Sequence, residues 1–285
     1  MVKIDTQTRV CAVIGNPVEH SLSPVMHNAA IEAAGLNYVY VAFRVEDVAG
    51  CLAGMRALEG FRGMSVTIPH KAAVIAHLDE IEPMAQNVGS VNTITNDDGK
   101  LTGSTTDGPG ALRSLRDAGV SLDGKRVLFI GSGGAVRAVA FQIADRTRAE
   151  RITVLGRTPA RLEKLIADLE AKTTVRVEGG YQGSDMEAAM ASHDVVIQGT
   201  PVGMYPDSVN DTPVDAALFR PEQVVFDMVY RPLETRFIRE AAAAGCKTVL
   251  GVEMLVNQAV YQFERWTGVD APVKVMRDAL ISALR

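Results

Sequence analysis

A chain of 285 residues exceeds the usual size of one hydrophobic core and predicts two domains. Its 47% hydrophobic and 22% charged residues are ordinary for a soluble globular protein, which excludes collagen-like, disordered and membrane-embedded classes. A net charge of −5 with no basic cluster argues against nucleic acid or an anionic membrane as the main partner.

The run "VCAVIG" (10–15) predicts a buried strand, followed by a helix from about Pro24 to Ala34 that Gly35 stops. "YVYVAFRV" (38–45) predicts a second strand and "EDVAGCLAGMRAL" (46–58) a second helix. "SVTI" (65–68) predicts a third strand, ended by Pro69, which has no N–H to donate to a ladder. "VNTITNDDGKLTG" (91–103) predicts a hairpin turning at Asp98-Gly99, and a helix covers about 107–118. After Gly124 the rhythm restarts. "RVLFIG" (126–131), "RITVLG" (151–156), "TVRVE" (174–178) and "DVVIQG" (194–199) predict strands, separated by helices at 134–148 and 159–170 and a short third one. "VVFDMV" (224–229) and "KTVLG" (247–251) continue the series around the helix "LETRFIREAAAAG" (233–245). Helices at about 253–266 and 272–284 close the chain. The alternation predicts an α/β protein with parallel sheets covered by helices and a domain boundary near 105–124.

The N-terminus breaks its apolar run after a few residues, and no stretch approaches 18 apolar residues, so the expectation is a cytoplasmic protein without a signal peptide or membrane span. Cys11, Cys51 and Cys246 lack metal or redox spacing and read as reduced thiols. His20, His27, His70, His77 and His193 show no ligand spacing, so no metal site is expected.

"VLFIGSGGAVRAVA" sets Gly131, Gly133 and Gly134 between an apolar strand and a helix. Glycines there permit a tight turn and let backbone N–H groups approach a pyrophosphate at the helix N-terminus, although a ligand-free βα turn reads the same way. The third glycine of the usual fingerprint is missing. The next strand ends "LGRTPAR", with Arg157 and Thr158 where an NAD site carries an acid. A forked, permanent cation suits a 2′-phosphate, so NADP is the expected cofactor.

In "GNPVEHSLSPVMHN" (15–28), Ser21 and Ser23 stand before Pro24. Capping a helix needs one serine, which leaves the second for another use. Lys71, just past Pro69, is either a loop residue keeping its charge in water or a group delivered to a site.

The motifs "GNPVEHSLSP", "SVTIPHK", "GSVNT", "TTDG", "GSGGAVR", "GRTPAR", "TPVGM", "DMVYRPLET" and "GVEMLVNQ" follow one another over nearly the whole chain. In these motifs and their order the chain resembles the shikimate dehydrogenase family. The resemblance implies a substrate-binding domain of residues 1–106 plus 251–285, a Rossmann-type NADP-binding domain of 107–250, and a catalytic cleft between them. The implied activity is the reversible NADPH-dependent reduction of 3-dehydroshikimate to shikimate, within chorismate and aromatic amino acid biosynthesis. By this resemblance Lys71 is the proton donor or acceptor and Asp107 sits against it. Ser21 and Ser23 would hydrogen-bond the substrate carboxylate, with Tyr230 nearby, and Thr67, Asn92, Asp107 and Gln258 would hold the ring hydroxyls. Gly131, Gly133, Gly134, Ala135, Arg157, Thr158, Arg161, Met228 and Gly251 would line the cofactor. The expected assembly is a monomer or homodimer with small-molecule ligands only.

Four positions depart from the family pattern, which has asparagine where this chain has Ser65, Thr105, Gly156 and Gly199. They leave open the fine substrate preference and the cofactor affinity. A quinate/shikimate dehydrogenase of wider specificity is the alternative enzyme. A non-catalytic metabolite sensor is the alternative from another class, and intact Lys71 and Asp107 argue against it.

Overall fold

A computed structural model of the chain describes residues 4–285. The chain divides into two compact units, one of residues up to Asp107 together with Val256–Ala283, the other Gly108–Leu255.

The first unit begins β1 (Arg9–Gly15), α1 (Ser23–Ala33), β2 (Tyr38–Arg44), α2 (Val48–Ala57) and β3 (Phe61–Val66). It continues β4 (Glu80–Ile81), α3 (Pro83–Val88), β5 (Thr93–Asp97) and β6 (Lys100–Ser104). The sheet order is β2-β1-β3-β5-β6-β4. β1 runs parallel to β2 and β3, whereas β5 is antiparallel to β3 and β6. The hairpin expected at 91–103 is present, and it makes this sheet mixed rather than parallel throughout. A hairpin between neighbouring strands forces the antiparallel sense, and Asp98 (φ 51°) and Gly99 (φ 90°) supply the two left-handed residues of its turn.

The third strand also differs from its expected span of 65–68: it starts at Phe61 and ends at Val66. Its early residues pair with β1 despite their poor alternation. Thr67 N–H still donates to Ile14 O at 2.9 Å, and Asn16 N–H to Ile68 O at 3.0 Å, so pairing outlasts the regular strand up to Pro69.

The second unit carries α4 (Asp107–Asp117), whose first residue belongs to the first unit, then β7 (Arg126–Ile130), α5 (Gly134–Arg146), β8 (Arg151–Gly156) and α6 (Pro159–Lys172). β9 (Arg176–Tyr181), α7 (Met186–Ser192), β10 (Val195–Gln198), β11 (Val224–Asp227), α8 (Arg236–Ala243) and β12 (Lys247–Val249) follow. This sheet is wholly parallel, in the order β12-β11-β10-β7-β8-β9. Val127–Ile130 and Val195–Gln198 are buried throughout, as strands covered on both faces must be.

α9 (Gly251–Thr267) and α10 (Val273–Leu284) end the chain. From Val256 onward α9 belongs to the first unit. Its Trp266 indole donates to Ile94 O at 3.1 Å and fills the space a β-carbon on Gly63 would need, so β3 takes a glycine there. Among the described residues no helix is long and apolar enough to cross a membrane.

Candidate active site

Lys71 is placed by an anchored turn. His70 N–H donates to Thr67 O at 2.9 Å, and the buried His70 ring lies 2.8 Å from Val45 O through Nε2. On the far side, Val91 N–H donates to Lys71 O at 2.9 Å. The Lys71 ammonium then donates to Asp107 Oδ2 at 2.6 Å. Asp107 is the first residue of α4, where the exposed N–H groups of a helix start favour a negative charge. The two side chains are 28% and 11% exposed, so the pair is sheltered yet open to a ligand.

Asn92 fixes the other carboxylate oxygen, with Nδ2 donating to Asp107 Oδ1 at 2.7 Å. The same amide lies 3.0 Å from Thr106 Oγ1 and 3.3 Å from Gln258 Oε1. Lys71, Asp107, Asn92 and Gln258 thus form one polar cluster within the first unit.

Ser21 and Ser23 are half-buried on the segment after β1. Neither hydroxyl caps α1: its N-cap is Leu22, and Ser21 Oγ only accepts a 3.3 Å bond from Ser23 N–H. Helix capping therefore does not account for the pair. Thr67 follows β3, and its methyl Cγ2 would stand 2.5 Å from a β-carbon on Gly15. β1 and β3 are parallel neighbours, so both segments leave the same carboxyl edge of the sheet, where α/β proteins collect ligands. Tyr230 lies in the second unit, and burial raises its phenol above the ordinary range.

The second unit brings the expected cofactor residues together around the carboxyl ends of β7, β8 and β11. Gly131 has φ 111°, and a β-carbon there would lie 2.9 Å from Thr200 Cγ2. Only glycine suits that turn. Gly133 and Gly134 face open space at the start of α5, and no side chain caps the helix. Free N–H groups with Ala135 behind them fit a pyrophosphate. Arg157, Thr158 and Arg161 are exposed, and neither arginine pairs with an acid among the described residues. Two unpaired guanidinium groups fit a phosphate better than a bare ribose.

Packing explains two of the departures. A β-carbon at Gly156 would meet Leu162 Cβ at 3.0 Å and Ser132 Oγ at 3.2 Å, and one at Gly199 would overlap Val136 Cγ2. At Gly251 it would overlap the Val229 carbonyl. Met228 N–H donates to Gln198 O at 2.9 Å, and the loop beyond it is tied to the fully buried Asp227. Val229 N–H donates to Asp227 Oδ1 at 2.9 Å and Thr235 Oγ1 to Oδ2 at 2.5 Å, while burial pushes the carboxyl up to about 7.

Sequence reasoning gave no role to Tyr40, Thr93, Thr106 and Gln262, and took Ser65 only as a departure from the family pattern. Thr93, Thr106 and Gln262 hydrogen-bond Asn92, Ser65 bonds Gln262, and Tyr40 bonds Ser65. One signal was available: Gln258, Gln262 and Trp266 recur every four residues and so share a helix face.

A family model described as "Shikimate dehydrogenase substrate binding domain" matches residues 13–94, and one described as "Shikimate / quinate 5-dehydrogenase" matches residues 114–223. A third, "Shikimate 5'-dehydrogenase C-terminal domain", matches residues 251–281. The shikimate dehydrogenase (NADP(+)) of Moorella thermoacetica is 45% identical over 291 residues, covering 100% of this chain and 96% of its own. The chain belongs to the shikimate dehydrogenase family. Among solved structures, a shikimate dehydrogenase in complex with NADP+ superposes with a TM-score of 0.91 at 40% identity, over 99% of this chain and 98% of that one. The shikimate 5-dehydrogenase of Listeria monocytogenes, in complex with shikimate and NAD, gives 0.92 at 36% identity, over 98% of each chain. The family's two-domain α/β architecture, a substrate domain followed by a Rossmann-like domain, is that of this chain.

Proposed function

We propose that this member of the family is an NADP-dependent shikimate dehydrogenase, reversibly reducing 3-dehydroshikimate to shikimate. The observation that carries this reading is the Lys71–Asp107 pair, held at 2.6 Å and braced by Asn92, in a chain alike over its whole length to NADP-dependent shikimate dehydrogenases.

NADPH, when bound, supplies a hydride to the carbonyl carbon. Lys71 Nζ then gives a proton to the carbonyl oxygen as negative charge develops there, and takes it back in the reverse direction. Asp107 holds the ammonium at the reacting oxygen and compensates its charge. In this reading Ser21 and Ser23 bind the substrate carboxylate with Tyr230, and Thr67, Asn92, Asp107 and Gln258 bind the ring hydroxyls. Gly131, Gly133, Gly134 and Ala135 would cradle the pyrophosphate, Arg157, Thr158 and Arg161 the 2′-phosphate, and Met228 and Gly251 the nicotinamide end. Residues 1–106 with 251–285 would form the substrate domain and 107–250 the NADP domain. One chain carries both residue sets, so small molecules are the only partners required. Three free thiols, two of them buried, agree with a reducing cytoplasm.

The deciding assay compares NADP- and NAD-linked oxidation of shikimate and of quinate. NADP with shikimate should give the highest kcat/KM. Comparable turnover of quinate would replace this reading with a quinate/shikimate dehydrogenase, and no turnover of either acid would remove it.

A further inference from the structure

Two backbone groups dictate the hydrogen-bond directions through the core of the first unit. Thr106 N–H can only donate, and it lies 2.9 Å from one end of the Asn92 side chain, so that end is the oxygen Oδ1. The Asn92 amide nitrogen therefore faces Asp107, which accepts. Asn92 O can only accept, and it lies 3.2 Å from one end of the Gln262 side chain, so that end is Nε2. Gln262 Nε2 also donates to Thr93 Oγ1 at 2.8 Å, and the Thr93 hydroxyl, left with one proton, donates to Asn92 Oδ1 at 2.8 Å. The opposite end of Gln262 is then an acceptor. Ser65 Oγ donates to it at 2.9 Å and must itself accept from Tyr40 Oη at 2.7 Å.

Every link from Tyr40 to Asn92 thus donates towards Asp107, whose carboxylate accepts from Asn92 on one side and from Lys71 on the other. The five residues from Tyr40 to Asn92 are at most 7% exposed, and His27 stacks on Tyr40 with ring centroids 4.2 Å apart. Hydrogen bonds in a dry, aligned chain reinforce one another. Reversing Gln262 would set its carbonyl against Asn92 O, and reversing Asn92 would set its carbonyl against the carboxylate.

We propose that Tyr40, Ser65, Gln262 and Thr93 are positioning residues: they lock the Asn92 amide, and through it aim Asp107 and Lys71 at the reacting oxygen. The proposal rests on the reading of Lys71 and Asp107 as the proton-transfer pair. It also gives Ser65, in the place of the family's frequent asparagine, a use within the protein.

The test replaces Thr93 with valine, which keeps the shape and removes the hydroxyl, and with serine, which restores it. Thr93→Val should lower kcat about tenfold while leaving KM for NADP unchanged, and Thr93→Ser should keep kcat within about twofold of wild type. Gln262→Met, as a second variant, should lower kcat likewise if Thr93→Val does not fold. An unchanged kcat in the valine or methionine variant, or an equal loss with serine, overturns the proposal. A readout free of substrate separates this from a failure of the functional reading. In the NMR spectrum of the unliganded protein, the Asn92 side-chain amide protons should exchange with water about tenfold faster in Thr93→Val than in wild type. Equal exchange overturns the locking claim, whatever reaction the protein catalyses.

Discussion

Val136 Cγ2 fills the space that a β-carbon on Gly199 would need. Val136 is fully buried, so it has nowhere to go. Gly199→Ala should therefore cost about 1–3 kcal/mol of stability through overpacking. Val136→Ala, which leaves a cavity, should cost about 2 kcal/mol. The double variant should be more stable than the sum of the two by at least ~0.5 kcal/mol, because each change relieves the other. Urea unfolding of the three proteins measures this; strict additivity would mean that the two side chains do not compete.

Removing the ammonium beside Asp107 tests the chemistry. Lys71→Ala should reduce kcat by roughly 10²–10⁴-fold, the usual worth of a general acid–base group. Shikimate affinity, measured by calorimetry on the same protein, should change far less. A normal kcat would take Lys71 out of the mechanism.

Because neither serine hydroxyl caps α1, Ser21→Ala and Ser23→Ala should leave the melting temperature nearly unaltered. Each should raise KM for shikimate by roughly tenfold or more, since a hydrogen bond to a charged carboxylate is worth about 1.5–3 kcal/mol. A lowered melting temperature with ordinary kinetics would return the pair to a structural role.

Arg157 and Arg161 pair with no acid among the described residues, so their loss should not weaken the fold. Arg157→Ala should reduce kcat/KM for NADP about tenfold at low salt and leave NAD use nearly unchanged. The double alanine variant should lose more. A double variant that keeps its NADP preference would place the 2′-phosphate elsewhere.

Asp227 makes stability depend on pH. Burial raises its carboxyl from 3.8 to about 7 in the folded protein. The folded state therefore holds a proton that the unfolded state has released between those two values, and folding takes up a proton there. Stability from this group is complete below about pH 4, and it is lost progressively as the pH rises to about 7. Asp227→Asn, which cannot ionise, should remove that decline. Urea unfolding at pH 5 and pH 8 should show wild type losing stability relative to the variant; parallel behaviour would mean that Asp227 is not the group responsible.

Much of this protein follows from short-range chemistry. The Asp98-Gly99 turn, the apolar parallel strands of the second unit and the glycine turn before α5 are each dictated by residues a few positions apart. So are the places of Lys71 beyond Pro69 and Arg157 beyond β8, because a strand end delivers the next residues to the edge of its sheet. Tertiary structure decided the rest. β3 reaches back to Phe61 because β1 offers it a partner, and Gly63 is a glycine because an indole from α9 lies over it. Gly156 and Gly199 read as lost asparagines until Leu162 and Val136 are seen to occupy the space. Ser65 and Gln262 are 197 positions apart, and no local pattern links them. Their bond exists only once α9 has returned to the first sheet, since a buried amide must find its partners wherever the packed chain provides them.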